Sequence, residues 1–300
     1  MSAAPPRGLS VAVATPMHED GSLDLEGLAR HVRRLIDGGV DQLVPCGTTG
    51  ESATMDPEEQ RRVIATCVEV AEGKVPIFAG AGTNSTARSR KLARAAREEG
   101  VDGLLLVTPY YNKPSQAGLD RHFREVIEAG VDLPVILYNV PGRTGVNLEP
   151  DTVFRLAELE LAVAVKEASA NLEQIMTIIR GRPDGFLVLS GDDSMALPII
   201  AMGGDGVISV AANEVPDRMR ALVHAGLAGR MEEARRHHYE LLPLMQANFV
   251  ESNPVPVKAA LHLMGQMGPH VRGPLSPLSD RSLERVRKTL LDIGIIEVDT

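Results

Sequence analysis

The sequence predicts an α/β chain: a (β/α)8 TIM barrel over residues 8–229 with a C-terminal helical extension over 230–300, behind a short disordered lead at 1–7. Three observations predict it. Eight short apolar runs recur along the first 213 residues. Charged segments of helical period separate them, which is the pattern of a parallel sheet covered on both faces. From about residue 214 onward the runs stop and only helical patterns remain. An open doubly wound sheet shares the alternation but usually carries a G-x-G-x-x-G turn after its first strand. Here the first strand leads into ATPMHEDGSLD, without that pattern, so the closed barrel is favoured.

Each element has its own signal. The opening, MSAAPPRG, is Pro-rich and has no apolar signal core. GLSVAVATPM (8–17) is the first strand run, and DLEGLARHVRRLIDGG (24–39) is an amphipathic helix with Asp at its start and Gly at its end. DQLVPCG (41–47) and DPEEQRRVIATCVEVAEG (56–73) repeat the unit, as do VPIFAGAG (75–82) and STARSRKLARAAREEG (85–100). GLLLVTP (103–109) precedes the helix LDRHFREVIEAG (119–130). The remaining strand runs are VILYNVP (135–141), AVAVKEA (162–168), FLVLSGDD (186–193) and GVISVAAN (206–213). RMEEARRHHYELLPLMQANF (230–249), PVKAALHLMG (256–265) and RSLERVRKTLLDIG (281–294) read as helices, one of which is available as the eighth barrel helix.

Composition narrows the function. A hydrophobic content of 44% supports a sizeable core, and a net charge of −9 argues against nucleic-acid or anionic-membrane partners. No apolar run approaches the roughly 20 residues of a membrane span. Two cysteines, Cys46 and Cys67, are too few for a disulfide framework, which points to a reducing cytoplasm. The eight histidines lack metal-ligand spacing, and adjacent His237 and His238 diverge on a helix, so no metal is expected.

In such a barrel, reactive groups sit at the C-terminal ends of strands. Lys166, inside VAVKEAS, comes first. An ammonium in a barrel strand loses hydration worth several kcal/mol unless paired. Burial favours the free amine, which is what Schiff-base chemistry with a carbonyl needs. The competing reading is an ion pair with Asp192 or Asp193; Glu167 points to the opposite face. GTTGES (47–52) offers backbone N–H groups and the Thr48 and Thr49 hydroxyls to a small carboxylate, or is an ordinary turn with a capping hydroxyl. In YNVPGRTG (138–145), Tyr138 is a proton relay or a rim aromatic, and Arg143 a carboxylate clamp or a solvated charge. Tyr110 and Tyr111 read as a subunit contact or as site residues. Cys46 reads as a small buried residue, and consecutive Asp192 and Asp193 as turn and cap residues.

GTTGES, TPYYNKPSQ, YNVPGRTG, KEAS, SGDD, GGDGVISV and SNPVPVKAAL occur in that order over nearly the whole chain. Together they resemble the 4-hydroxy-tetrahydrodipicolinate synthase (dihydrodipicolinate synthase) family of pyruvate-dependent Schiff-base aldolases. The resemblance implies a lyase of lysine and diaminopimelate biosynthesis that condenses pyruvate with L-aspartate semialdehyde. Lys166 would carry pyruvate as the Schiff base, with no other cofactor. Thr49, Tyr138 and Tyr111 match the proton relay. Thr48 and Thr49 match the carboxylate cradle, Gly191 and Ile208 the backbone lining of the pyruvate pocket, and Arg143 the clamp on the semialdehyde carboxylate. The alternative is a sugar-acid lyase of the same class, cleaving N-acetylneuraminate or a 2-keto-3-deoxy acid; Arg143 favours a short acidic aldehyde instead. The resemblance also implies a homo-oligomer, a dimer of dimers, in which Tyr111 reaches into a neighbour's site. Ser52, Asn84 and Tyr110 match the pocket that binds lysine in regulated relatives. Pro57, Gln60 and Arg88 depart from it, and Arg88 sets a positive charge where an ammonium would bind, so weak or absent lysine feedback is expected. KEASAN stands where the family has KEATGN, a minor change at Ala170.

Overall fold

The computed structural model describes residues 7–129 and 131–297; the expected disordered lead, Arg7 apart, lies outside them. Among the described residues, eight parallel strands form one sheet in the order β2-β1-β8-β7-β6-β5-β4-β3. They are β1 (Gly8–Ala12), β2 (Gln42–Val44), β3 (Phe78–Gly80), β4 (Gly103–Val107), β5 (Val135–Asn139), β6 (Ala162–Glu167), β7 (Leu187–Ser190) and β8 (Gly206–Ser209). The ring closes where β2 meets β3, through the parallel bridge Leu43–Ile77 and bonds from Leu43 N to Pro76 O (3.0 Å) and Gly80 N to Pro45 O (2.9 Å). This is the (β/α)8 barrel the alternation predicts. Every apolar run contains a strand, but the strands stop short of the runs' C-terminal ends, where the chain turns into the loops that build the site.

The helices are α1 (Leu25–Asp37), α2 (Pro57–Ala71), α3 (Thr86–Glu98), α4 (Gln116–Ile127), α5 (Pro141–Thr144), α6 (Pro150–Ala157), α7 (Leu172–Gly181), α8 (Ala196–Ala201), α9 (Pro216–Leu227), α10 (Met231–Ala247), α11 (Val255–Leu263) and α12 (Asp280–Asp292). Their starts follow the capping chemistry: Asp24 accepts from Gly27 N at 2.7 Å, and Asp56 with Glu59 forms a reciprocal capping box on α2. Gly39, Gly73 and Gly100 follow their helices with positive φ, where a side chain would be strained. The helix that follows β8 onto the barrel wall is α9, which none of the three C-terminal segments contains. It begins at Pro216, inside a mixed stretch whose apolar face is short, so its periodicity is weak.

Side chains alternate across each strand. Leu104, Leu106, Val135, Leu137, Val165, Val188 and Val207 pack outward under the helices. Leu105, Ile136, Tyr138, Ala164, Leu189 and Ile208 fill the barrel interior. Lys166 follows Ala164 on the inward face. Glu167 points outward, where its carboxylate accepts from Asn139 Nδ2 (3.1 Å), Gln174 Nε2 (3.1 Å) and Ser169 N (2.8 Å).

Candidate active site

Register puts the central pair together. Tyr138 on β5 is the cross-strand partner of Lys166 on β6, one step before the outward pair Asn139 and Glu167. Lys166 is 5% exposed, and its Nζ lies 4.3 Å from the Tyr138 ring centroid. Among the described residues no carboxylate pairs with it within 4.0 Å, so the ion-pair reading is not what the structure contains. The ring face takes up part of the role a counter-charge would have.

Lys166 opens into a cavity of about 100 Å³ at the C-terminal mouth of the barrel. Thr48, Thr49, Tyr138, Arg143, Lys166 and Gly191 all line it. The threonines come from the turn after β2. That turn closes tightly: Glu51 N bonds to Thr48 O at 3.1 Å, and Thr15 Oγ1 bonds to Gly50 O at 2.9 Å. Gly50 suits that closeness, because a Cβ there would crowd Val13 O at 3.0 Å and Cys46 N at 3.2 Å. Gly191 is needed for a different closeness: a Cβ would meet Ala168 Cβ at 2.7 Å and Lys166 Cε at 3.0 Å. Arg143 sits on α5, exposed at the mouth, and makes no ion pair among the described residues. Against the ~300–1,000 Å³ of pockets for drug-sized ligands, this cavity suits a small acid.

Two expected residues lie elsewhere. Ile208 is fully buried in the barrel interior with Tyr138 and Leu189, beneath the cavity rather than in its lining. Tyr111 is 88% exposed, with φ of 73°, and does not face Lys166 of its own chain. Tyr110 lines a second cavity of about 280 Å³ that adjoins the first and shares Thr48, Tyr138 and Arg143 with it. Ser52, Gln60 and Arg88 also line this second cavity.

The family model described as the dihydrodipicolinate synthetase family matches residues 5–293. The chain belongs to this family. A 4-hydroxy-tetrahydrodipicolinate synthase of Methanoculleus marisnigri is 48% identical over 290 residues, covering 96% of this chain and 99% of that protein. The chloride-inhibited dihydrodipicolinate synthase of Acinetobacter baumannii, solved with pyruvate, has a TM-score of 0.95 at 43% identity, covering 97% of this chain and 100% of that one. The enzyme of Cyanidioschyzon merolae, solved with lysine bound, has a TM-score of 0.94 at 37% identity, covering 97% and 99%.

Within this dihydrodipicolinate synthetase fold, several site residues escaped the sequence reading. Asp192 and Asp193 diverge: Asp192 stands at the N-cap position of the short 3-10 turn Asp193–Met195, as the turn-and-cap reading expects, though its side chain makes no capping bond. Asp193 accepts from Val210 N and Ala211 N, both at 2.9 Å, and ties the β7 loop to the β8 loop. Asp192 faces the cavity; burial raises its carboxyl above the usual range, and the charged form of Lys166 draws it partly back. Asn253 and Phe249 line the cavity from the C-terminal region, with Asn253 Nδ2 donating to Thr49 Oγ1 at 3.0 Å. Behind the turn, Lys258 Nζ meets Glu51 Oε1 at 2.6 Å with both side chains buried, and Arg272 N donates to Glu51 Oε2 at 3.0 Å. Burial draws the Lys258 ammonium down while Glu51 opposes the shift. Only the presence of SNPVPVKAAL hinted at these partners. Cys46 is buried; its thiol, pushed up to about 12 by burial, stays protonated and directs Sγ at Gln60 O. Among the described residues no group of three or more His, Cys, Asp or Glu is arranged to hold a metal ion, and no helix is long and apolar enough to cross a membrane.

Proposed function

We propose that the chain condenses pyruvate with L-aspartate semialdehyde to give 4-hydroxy-tetrahydrodipicolinate, a lyase step of lysine and diaminopimelate biosynthesis, through a Schiff base on Lys166. The carrying observation is a lysine amine with no carboxylate within 4.0 Å among the described residues, in a small acid-sized cavity, against a tyrosine and beside a threonine turn. The Lys166 amine adds to the pyruvate ketone, and the carbinolamine loses water to form the imine. A methyl proton leaves C3 to give the enamine. C3 then attacks the aldehyde carbon, a C–C bond forms, and the aldehyde oxygen takes a proton. The substrate's own amine finally adds to the imine carbon, expels the lysine amine and closes the ring. Lys166 is the covalent carrier, and the cycle uses no separate cofactor.

Thr48 and Thr49 hold the keto-acid carboxylate in this scheme, with Gly191 leaving room for the adduct and Ile208 flooring the interior below it. Thr49 and Tyr138 move protons within the chain. Tyr111, exposed and turned away, completes the relay in a neighbouring copy, so the active unit is a homo-oligomer, with a dimer of dimers as its assembly. Arg143 receives the aldehyde's carboxylate, which together with the small cavity supports the semialdehyde over an extended sugar acid. The cytoplasm is the compartment in which two buried free thiols and this biosynthetic role fit best.

Borohydride added with pyruvate should leave a stable adduct on Lys166, found by peptide mass, and Lys166→Ala should abolish both the adduct and the coupled condensation with aspartate semialdehyde. Condensation with a sugar aldehyde instead would move the chain to the lyase reading, and no adduct would remove both. Lysine should inhibit weakly or not at all, because Arg88 faces the neighbouring cavity with no acidic partner among the described residues. Half-inhibition at micromolar lysine would refute that expectation.

A further inference from the structure

The charged side chains that line the cavity at the barrel mouth are Lys166, Arg143 and Asp192. Asp192 follows Gly191 in the loop after β7, and its backbone is fixed there. Its N donates to Ser190 Oγ at 3.2 Å, and its O accepts from Ser190 Oγ at 2.7 Å and from Met195 N at 3.1 Å. The carboxylate is half-buried and makes no hydrogen bond or ion pair among the described residues. Arg143 lines the same cavity, also without an ion pair among them, so two opposite charges face one space without neutralising each other. The charge that acts on the Asp192 carboxyl is the Lys166 ammonium, which draws it back against burial. That charge does not last through the reaction. Once Lys166 carries pyruvate as the enamine, its nitrogen is neutral. Asp192 then faces the cavity without a counter-charge, a costly state for a carboxylate partly withdrawn from water. A ligand that brings a cation to this wall removes the cost.

We propose that Asp192 is a specificity-determining residue: its carboxylate receives the α-ammonium of the aldehyde substrate while Arg143 takes the carboxylate, so that the cavity reads the zwitterionic head group of an amino acid. The inference deepens the Schiff-base reading and rests on it. The other polar side chains of the wall, Thr48, Thr49, Tyr138 and Asn253, are neutral and serve a hydroxyl as well as an amine. An anionic acceptor favours the cation, because a charge-assisted bond is roughly twice as strong as a neutral one.

Succinate semialdehyde, the same aldehyde without its amine, is the probe. It keeps the carboxylate for Arg143. With no amine to expel the lysine, it should leave the condensed adduct on Lys166, where borohydride fixes it for peptide mass. In Asp192→Asn, the KM for L-aspartate semialdehyde should rise about tenfold or more, the scale of one charge-assisted hydrogen bond. The succinate semialdehyde concentration that gives half of its adduct should stay within about twofold of wild type, and so should the pyruvate concentration for half trapping. Asp192→Ser, which removes the charge and part of the bulk, should show the same selective loss. Equal losses for the two aldehydes, or no loss for either, would overturn the proposal. So would a raised requirement for pyruvate, which would make Asp192 a counter-charge to Lys166 and nothing more. Wild-type protein that pyruvate and borohydride fail to trap would remove the Schiff-base reading, and this inference with it.

Discussion

Lys166 could be picked out of the sequence because a charge in an apolar strand costs several kcal/mol and calls for a reason. Tyr138, Arg143 and the threonines were legible as strand-end residues. Asn253 was not, because a polar residue in a loop distant along the chain carries no periodic or energetic signature until the fold brings it back. Glu214 is another residue whose meaning only the fold supplies. It follows the short turn Ala211–Asn213, is 2% exposed, and accepts from Asn248 Nδ2 at 2.6 Å through one oxygen, while the other is buried with no partner among the described residues. Burial raises its carboxyl well above 4.5, with Asp193 adding to the shift and Asn248 and Arg34 opposing it. A raised carboxyl binds its proton more tightly in the folded state than in the unfolded state. Its contribution to stability is therefore full below the ordinary carboxylate range and is lost as pH climbs through the raised value. The melting temperature of the wild type minus that of Glu214→Gln should fall steadily over the range from the ordinary carboxylate values upward. A difference that stays flat across that range would contradict the assignment.

Among elements, the turn after β2 and helix α11 act as one unit. The turn's glycines and hydroxyls were legible, and so was the helical pattern of 256–265. Their union was not, since Glu51 and Lys258 are separated by 207 positions along the chain. Glu51 adopts a left-handed φ of 55°, unusual for a side chain of its size, and two bonds to the C-terminal region hold it there. Lys258→Met should strand a buried carboxylate and cost about 3–5 kcal/mol in urea denaturation. It should also raise the KM for pyruvate, because the threonine cradle loses its backing. The double variant Lys258→Met with Glu51→Gln should recover most of the stability, since it removes both charges. If the double variant is less stable than the single one, the pair is not the main tie.

The barrel itself was the most legible level, because eight repeats of one pattern reinforce each other where any single run is ambiguous. The eighth helix was missed for the opposite reason: α9 stands alone, with a Pro start and a narrow apolar face. Tyr111 is held far into solvent at the rim, where the proposed sharing of sites between copies needs it. If it serves a neighbour, two crippled proteins can complement each other. Mixed and re-annealed Tyr111→Phe and Lys166→Ala chains form hybrids in which one site has the intact lysine and the intact tyrosine. Random pairing should restore about a quarter of wild-type activity, in a closed two-fold contact. Activity no greater than the sum of the separate proteins would sink the exchange.

The junction between β2 and β3 has a mechanical consequence. Most of the ring is laced by ladders of several residues, as between β5 and β6, where five partner pairs run from Val135 to Asn139. Here a single bridge and two flanking bonds close the hoop. A seam sewn with so few stitches is where thermal breathing begins. It lies directly under the threonine turn proposed to hold the keto-acid carboxylate, so the mouth yields first on that side, while the opposite wall keeps the Lys166 amine and the Tyr138 phenol fixed.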